Sequence, residues 1–296
     1  MSTAPAMQAS TRLFPYETWG SQAGRLAKQY RENKPCPHIF LENFLDPEIA
    51  SGMAKEFPRP TSDTWTQYKH ANENKLGMPK REMFPPTIRA VTDELNSPEV
   101  VAWVSELTGI PNLMADPMLE GGGLHQSGPG GYLNVHTDFS MHHFHTHWHR
   151  RVNLILYLNP VWDEKWGGAI ELWERSSEGS AGRKMTRCAA KYPPLLNHAL
   201  IFTTDERSLH GFPDPLTCPP GQSRKSLALY YYTEEPGRKV PVHSTDYFAR
   251  PQDGWGKAAM IWLDKTAVDL YSRAKARFGF SDEVASKVLG FLSKKK

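Results

Sequence analysis

Hydrophobic positions along this chain fall into three successive rhythms: helical, then alternating, then helical again. Residues 1–34 read as a leader holding one short helix near Gln22–Glu32. PHIFLENFL (Pro37–Leu45) is a strand candidate. Asp46-Pro47-Glu48 then marks a helix start, because Asp caps free first-turn amides and Pro is tolerated at the first helical position. Ile49, Met53 and Phe57 follow at roughly helical spacing. Residues 58–84 are polar and irregular apart from Trp65 and Tyr68, so a long loop is expected there, of the kind that often covers an active site. Two helices follow: PPTIRAVTDELN, with Ile88, Val91 and Leu95 on one face, and SPEVVAWVSELTG, which starts at Ser97-Pro98 and stops at Gly109.

From about residue 113 short apolar or alternating runs are separated by Gly, Pro and Asn. These runs are Gly131–His136, Val152–Asn159, Ala169–Trp173, Ala199–Thr203 and Ser226–Thr233, the rhythm of a sandwich or barrel of short strands. After Pro236 the pattern returns to helix, over Lys257–Phe278 and Asp282–Leu292. The expected class is mainly β with flanking helices (α+β). Its parts are a leader (1–34), a central domain (35–236; helices about 46–109, β core about 113–235) and a helical extension (237–296).

Composition changes this picture little. The 296 residues are 39% hydrophobic and 23% charged, ordinary globular usage, and 24 Pro with 22 Gly fit many turns. A net charge of +3, from 35 basic and 32 acidic residues, is too small to argue for nucleic acid, and part of it sits in Lys294-Lys295-Lys296. Cys36, Cys188 and Cys218 form no CxxC pair, so neither a disulfide framework nor a zinc knuckle is supported. No run approaches 18 apolar residues and no signal-peptide core is visible. A cytoplasmic protein without membrane or nucleic-acid partners is expected, a homo-oligomer remaining open.

The chemistry concentrates in GYLNVHTDF. Strand alternation puts His136 and Asp138 on one side, so both can reach one ion. His210, 72 residues beyond Asp138, is the best third donor. Two imidazoles and a carboxylate on one face leave positions open for a bidentate oxoacid and dioxygen, the ligand set of non-haem Fe(II) oxygenases. Arg224 follows 14 residues after His210 and shares a strand face with Ser226. A guanidinium inside a barrel needs an anion, and a carboxylate supplies two charge-assisted hydrogen bonds, so Arg224 with Ser226 forms a clamp for the distal carboxylate of 2-oxoglutarate. Lys225 competes for that role, but strand parity favours Arg224 and turns Lys225 outward.

HTD, the later LHG and the strand RKSLALYYYT resemble the 2-oxoglutarate/Fe(II) dioxygenases of the prolyl 4-hydroxylase type. PHIFLENFL, RVNLILYLNPVWDEKWGGAIELW and NHALIFTTDE carry the likeness over roughly residues 35–236. The resemblance implies a double-stranded β-helix (jelly-roll) core. It also implies Fe(II), 2-oxoglutarate and O2, with ascorbate as an accessory reductant, and conversion of 2-oxoglutarate to succinate and CO2 as a substrate C–H bond is attacked. Through it, Tyr157 matches the tyrosine that supports the co-substrate carboxylate, and Asn153 on the same face shares that pocket. Related halogenases carry a small residue where this chain has Asp138, so hydroxylation is favoured, with desaturation or ring chemistry open.

His125 and Trp173 are candidates for substrate contact. The histidines of MHHFHTHWHRR (His142, His143, His145, His147, His149) are read chiefly as a solvated rim, not a second metal site. The substrate class stays open between a small molecule, an amino acid and a peptide. A non-catalytic metal-binding jelly-roll sensor is the main alternative, and a metal-dependent hydrolase a third.

Overall fold

The computed structural model describes residues 12–278 apart from 62, 146, 177–184 and 236–244. The helix expected over Asp282–Leu292 lies outside them. Among the described residues there are six α-helices: α1 (Tyr16–Gly20), α2 (Ala23–Glu32), α3 (Pro47–Glu56), α4 (Pro86–Leu95), α5 (Pro98–Thr108) and α6 (Trp255–Phe278). The strands are β1 (His38–Leu41), β2 (Thr66–His70), β3 (Glu73–Met78), β4 (Met114–Ala115), β5 (Gly123–Ser127), β6 (Tyr132–Thr137) and β7 (Trp148–Tyr157). They continue with β8 (Ile170–Arg175), β9 (Met185–Tyr192), β10 (Ala199–Thr203), β11 (Leu209–Phe212), β12 (Arg224–Glu234) and β13 (Asp246–Tyr247).

Local signals set the helix ends. Asp46 accepts from the Glu48 amide at 2.8 Å with Pro47 behind it, and Ser97 accepts from Val100 ahead of Pro98. Gly109 closes α5 at φ +71°, a left-handed conformation that costs a glycine nothing.

The strands form one antiparallel sheet in the order β1-β10-β7-β12-β5-β3-β6-β11-β8-β9, curled into a nearly closed barrel, the double-stranded β-helix expected. Residues facing each other on β7 and β12 divide by parity. Leu154, Leu156, Leu227, Leu229 and Tyr231 face outward and join the main core with α2–α5, where the Tyr231 hydroxyl donates to the Leu95 carbonyl. Ile155, Tyr157 and Ala228 face inward and pack with Ile170, Leu172 and Phe202. Helices therefore seal one outer face while the interior stays free for a site. Phe14, Trp19, Leu26 and Tyr30, from the N-terminal segment, are part of the main core. Among the described residues no helix is long and apolar enough to cross a membrane.

One expectation fails. Within 58–84 lies a hairpin, β2–β3, and β3 pairs with both β5 and β6. TQYKH is polar because nearly all of it is exposed, so it carries no apolar alternation to read. Its partner strand is held by non-local ladders that no local pattern encodes.

The hairpin is also tied to α6. His70 Nδ1 lies 2.7 Å from Asp264 Oδ2 and Nε2 lies 2.9 Å from Glu73 Oε1, while the Asn72 amide donates to Asp264. Burial opposes a charge on His70, but Asp264 and Glu73 outweigh it and raise its pKa to about 9. A raised pKa means the stabilisation is full below the unfolded value of about 6.5 and is lost as pH climbs through 9. The melting temperature of the wild type should therefore exceed that of His70→Gln by a margin that shrinks between pH 7 and 10. A margin that grows with pH would contradict this network.

Candidate metal centre

His136 is the penultimate residue of β6, and Asp138 follows two residues on, so both project to the barrel interior as alternation requires. β11 pairs with β6 so that His210 lies opposite His136, their rings 4.3 Å apart, and β13 flanks the other side with Tyr247 opposite His136. Gly211 makes this close approach possible. A Cβ there would lie 2.8 Å from the Leu133 carbonyl oxygen, 2.9 Å from that of Asn134 and 3.0 Å from Val135 Cα. These are backbone atoms of a buried ladder and cannot give way cheaply. Gly211→Ala should push β11 off β6, destabilise the fold by about 1–3 kcal/mol and weaken divalent-metal binding at least ~10-fold. Metal titration and thermal melting test this, and unchanged metal affinity would contradict it.

One ligand-type atom from each of His136, Asp138 and His210 lies within 4.8 Å of the others, and no other group of this kind occurs among the described residues. The imidazole tautomers follow from backbone bonds. His136 Nδ1 lies 2.9 Å from its neighbour's carbonyl at Asn134, and His210 Nδ1 lies 2.8 Å from that of Ser208. Each carbonyl only accepts, so Nδ1 carries the proton and the Nε2 lone pair is left for the cluster. The Nε2 atoms lie 3.6 and 3.8 Å from the Asp138 carboxylate. Burial pushes His210 down to about 4, helped by His136. Burial alone would raise Asp138, but His210, His136 and Arg150 hold its carboxyl well below the usual range. An ionised carboxylate beside two Nε2 lone pairs is the donor set that a divalent cation requires.

Arg224, Ser226 and Asn153 line the same cavity of about 230 Å³. The Arg224 guanidinium is buried; it donates to the Gly168 carbonyl at 2.7 Å and to the Tyr157 hydroxyl at 3.2 Å, and it lies over the Phe212 ring. Among the described residues no carboxylate forms an ion pair with it, and burial pulls its pKa below the usual arginine value. Lys225 faces the other way, over Phe57. The site thus presents an uncompensated buried cation across from a two-histidine, one-carboxylate cluster, and such a cation calls for an anion. The residues present fit both a divalent metal and a dicarboxylate.

The remaining candidates separate. His125 lines the cavity beside Ser226, and burial, with Lys75 nearby, pushes it down to about 3, so it is neutral. Asn153 stands by the metal cluster, its amide donating to Asp138 at 3.4 Å. Trp173 is not brought to the cavity. On β8 the inward parity belongs to Ile170 and Leu172, while Trp173 packs outside against Val135, Met185 and Leu209 and donates to Glu171. The solvated-rim reading of the histidine stretch also needs correction. His143 is exposed, but His142 and His149 are buried, and His142 sits between Asp116 and Glu120. Asp116 and Glu120 satisfy the His142 ring, which is why its burial left no apolar mark in the sequence.

Sequence reasoning missed Tyr68, Glu73, Lys75, Arg150 and Tyr247, all of which line the cavity together with Tyr230. The first three come from the unforeseen hairpin. Tyr230 was legible from its parity with Arg224; the others carry no local signal.

Residues 122–232 match the model of the 2OG-Fe(II) oxygenase superfamily. Among solved structures the chain is similar to a prolyl hydroxylase from Trichoplax adhaerens in complex with a hypoxia inducible factor oxygen degradation domain peptide fragment. The identity is 16% and the TM-score 0.51, over 73% of this chain and 91% of that one. It is also similar to a prolyl 4-hydroxylase from Phytophthora capsici, with 16% identity and a TM-score of 0.52 over 80% of this chain and 71% of that one. At such identities the likeness is one of fold. No curated protein sequence matches the chain. The matched segment contains the two histidines, Asp138, Arg224 and Ser226. That segment is thus similar to the 2OG-Fe(II) oxygenase superfamily, and the jelly-roll architecture is the fold it shares with the two solved prolyl hydroxylases. The superfamily implies Fe(II), 2-oxoglutarate and O2.

Proposed function

We propose that this chain is an Fe(II)- and 2-oxoglutarate-dependent dioxygenase that hydroxylates an unactivated C–H bond, releasing succinate and CO2. The observation that carries the reading is Arg224: a buried guanidinium with no acidic partner among the described residues, opening on the cavity that holds the metal cluster. In this reading His136, Asp138 and His210 hold the iron, and Arg224, Ser226 and Tyr157 hold the distal carboxylate of 2-oxoglutarate. Bound iron with its co-substrate supplies the oxidising power for C–H attack. The protein's own part is to aim both Nε2 atoms at the ion through the backbone bonds at Nδ1, to keep Asp138 ionised, and to leave the opposite side of the cluster to substrate. Retention of Asp138, a coordinating carboxylate, supports hydroxylation over halide transfer.

The test is anaerobic addition of Fe(II) and 2-oxoglutarate, followed by a succinate-release screen across metabolite and peptide pools. A weak visible absorption band and substrate-stimulated succinate are expected. A band with no turnover on any pool would favour the non-catalytic sensor instead. Turnover that needs neither 2-oxoglutarate nor O2 would point to a hydrolase, for which the arginine has no use.

A further inference from the structure

The cavity is lined by five charged side chains among the described residues: Glu73, Lys75, Asp138, Arg150 and Arg224. Lys75 and Glu73 neutralise one another at 2.8 Å. In the reading above Asp138 belongs to the metal and Arg224 to the co-substrate. Arg150 is left over. Its nearest carboxylate oxygen, on Asp138, is 3.8 Å away, and that carboxylate already faces two imidazoles, one on each oxygen. Nε and one terminal nitrogen are fixed by the Tyr232 hydroxyl and the Glu120 carbonyl, at 3.1–3.3 Å. The plane is held between Phe139 and Tyr230, whose ring centres lie 3.4 and 3.6 Å from the guanidinium carbon. The second terminal nitrogen is the one aimed at Asp138.

A β-bulge puts Arg150 there. Inward-facing pairs run Ser226 with Tyr157, Ala228 with Ile155 and Tyr230 with Asn153. Unbroken alternation would next turn Arg151 inward. Instead the register shifts between Tyr231 and Tyr232, so that Tyr232 pairs with Arg150. Arg151 is left near the surface, paired with Glu235 at 2.7 Å. Bulges re-aim side chains beside active sites, and a buried cation clamped by aromatic faces without a close anion is costly unless something pairs with it.

We propose that Arg150 is the specificity-determining residue for an anionic substrate, whose carboxylate docks on the free edge of its guanidinium. This inference rests on the dioxygenase reading, which disposes of the other charges. One uncompensated positive charge matches a monoanion, whereas a phosphate monoester brings nearly two negative charges. The aromatic walls suit the carbon body of an organic acid.

The test uses the full chain, loaded with Mn(II) and saturated with 2-oxoglutarate under argon so that Arg224 is occupied. It is titrated with benzoate and hexanoate and with the matched amides, benzamide and hexanamide, and binding is read by thermal shift. The acids should bind at least ~30-fold more tightly than the amides, the loss expected when one partner of a buried charge pair is removed. Arg150→Gln should abolish that preference with Mn(II) and 2-oxoglutarate affinities within a few-fold, and Arg150→Lys should restore part of it. Equal or absent binding of acids and amides to the loaded wild type overturns the proposal, with no variant needed. So does an Arg150→Gln protein that keeps the preference. A variant that loses Mn(II) more than ~10-fold also overturns it, since Arg150 would then only position Asp138. A wild type that takes up neither Mn(II) nor 2-oxoglutarate sinks the dioxygenase reading itself and this inference with it, an outcome distinct from acid indifference in a loaded protein.

Discussion

Asp138→Asn should bind Fe(II) more than ~100-fold more weakly than the wild type and should form no measurable succinate, with or without substrate. Asp138 is the only carboxylate in the cluster, and it is buried among two imidazoles and Arg150. Its charge is what a divalent ion gains on leaving water for this site; a neutral amide keeps the shape and removes that attraction. Losing an outer hydrogen-bonding partner of a metal ligand typically costs 10- to 100-fold, so losing the ligand's charge must cost more. Asn153→Ala, which removes only the amide beside Asp138, supplies that smaller comparison. Asp138→Asn also leaves Arg150 without its nearest counter-charge, so both variants are assayed well below their melting points. Normal turnover by Asp138→Asn would sink the metal assignment.

Arg224→Met should raise the 2-oxoglutarate dissociation constant by about 100-fold or more while leaving the ligand-free protein as stable as the wild type, or more so. The two signs differ for one reason. A buried cation with no anion is a cost to the folded chain, and an apolar side chain of similar volume removes that cost. The same cation becomes favourable once a carboxylate arrives, and truncating one partner of such a pair costs about 2–5 kcal/mol of binding. Melting curves of the free protein and anaerobic titration with 2-oxoglutarate read the two effects separately. An arginine serving only the fold would instead show a large loss of stability and little change in 2-oxoglutarate binding.

Much of the site was legible because its members sit at the same parity on short strands. His136 and Asp138, and Arg224 and Ser226, are two apart, and a period of two is a local property of an extended chain. The capping signals at Asp46 and Ser97 were legible for the same reason, since each concerns the nearest turn of backbone. Where parity broke, the reading broke. A single register shift on β7 and β12 turned Arg150 inward in place of Arg151, and nothing in WHRRVNLILY announces it. Trp173 was placed near the pocket because its strand was identified but not the face that its strand turns inward. His142 was read as solvated because histidine is polar, whereas Asp116 and Glu120, more than twenty residues upstream, satisfy it in a buried setting.

The sequence by itself determined the β rhythm of the central region, the helices before it and the inward set of each strand that keeps its alternation, and so the shared faces of His136 with Asp138 and of Arg224 with Ser226. These follow from interactions within a turn or along one strand. Tertiary structure alone decided that a polar hairpin closes over the cavity, that α6 is tied to it through His70 and Asp264, and that Arg150 stands clamped between two aromatic rings with one edge toward Asp138. Each of those depends on a pairing or a charge contributed from far along the chain. A residue's own neighbours do not encode what it will meet across a ladder, and the barrel interior, where the substrate must sit, is made of such meetings.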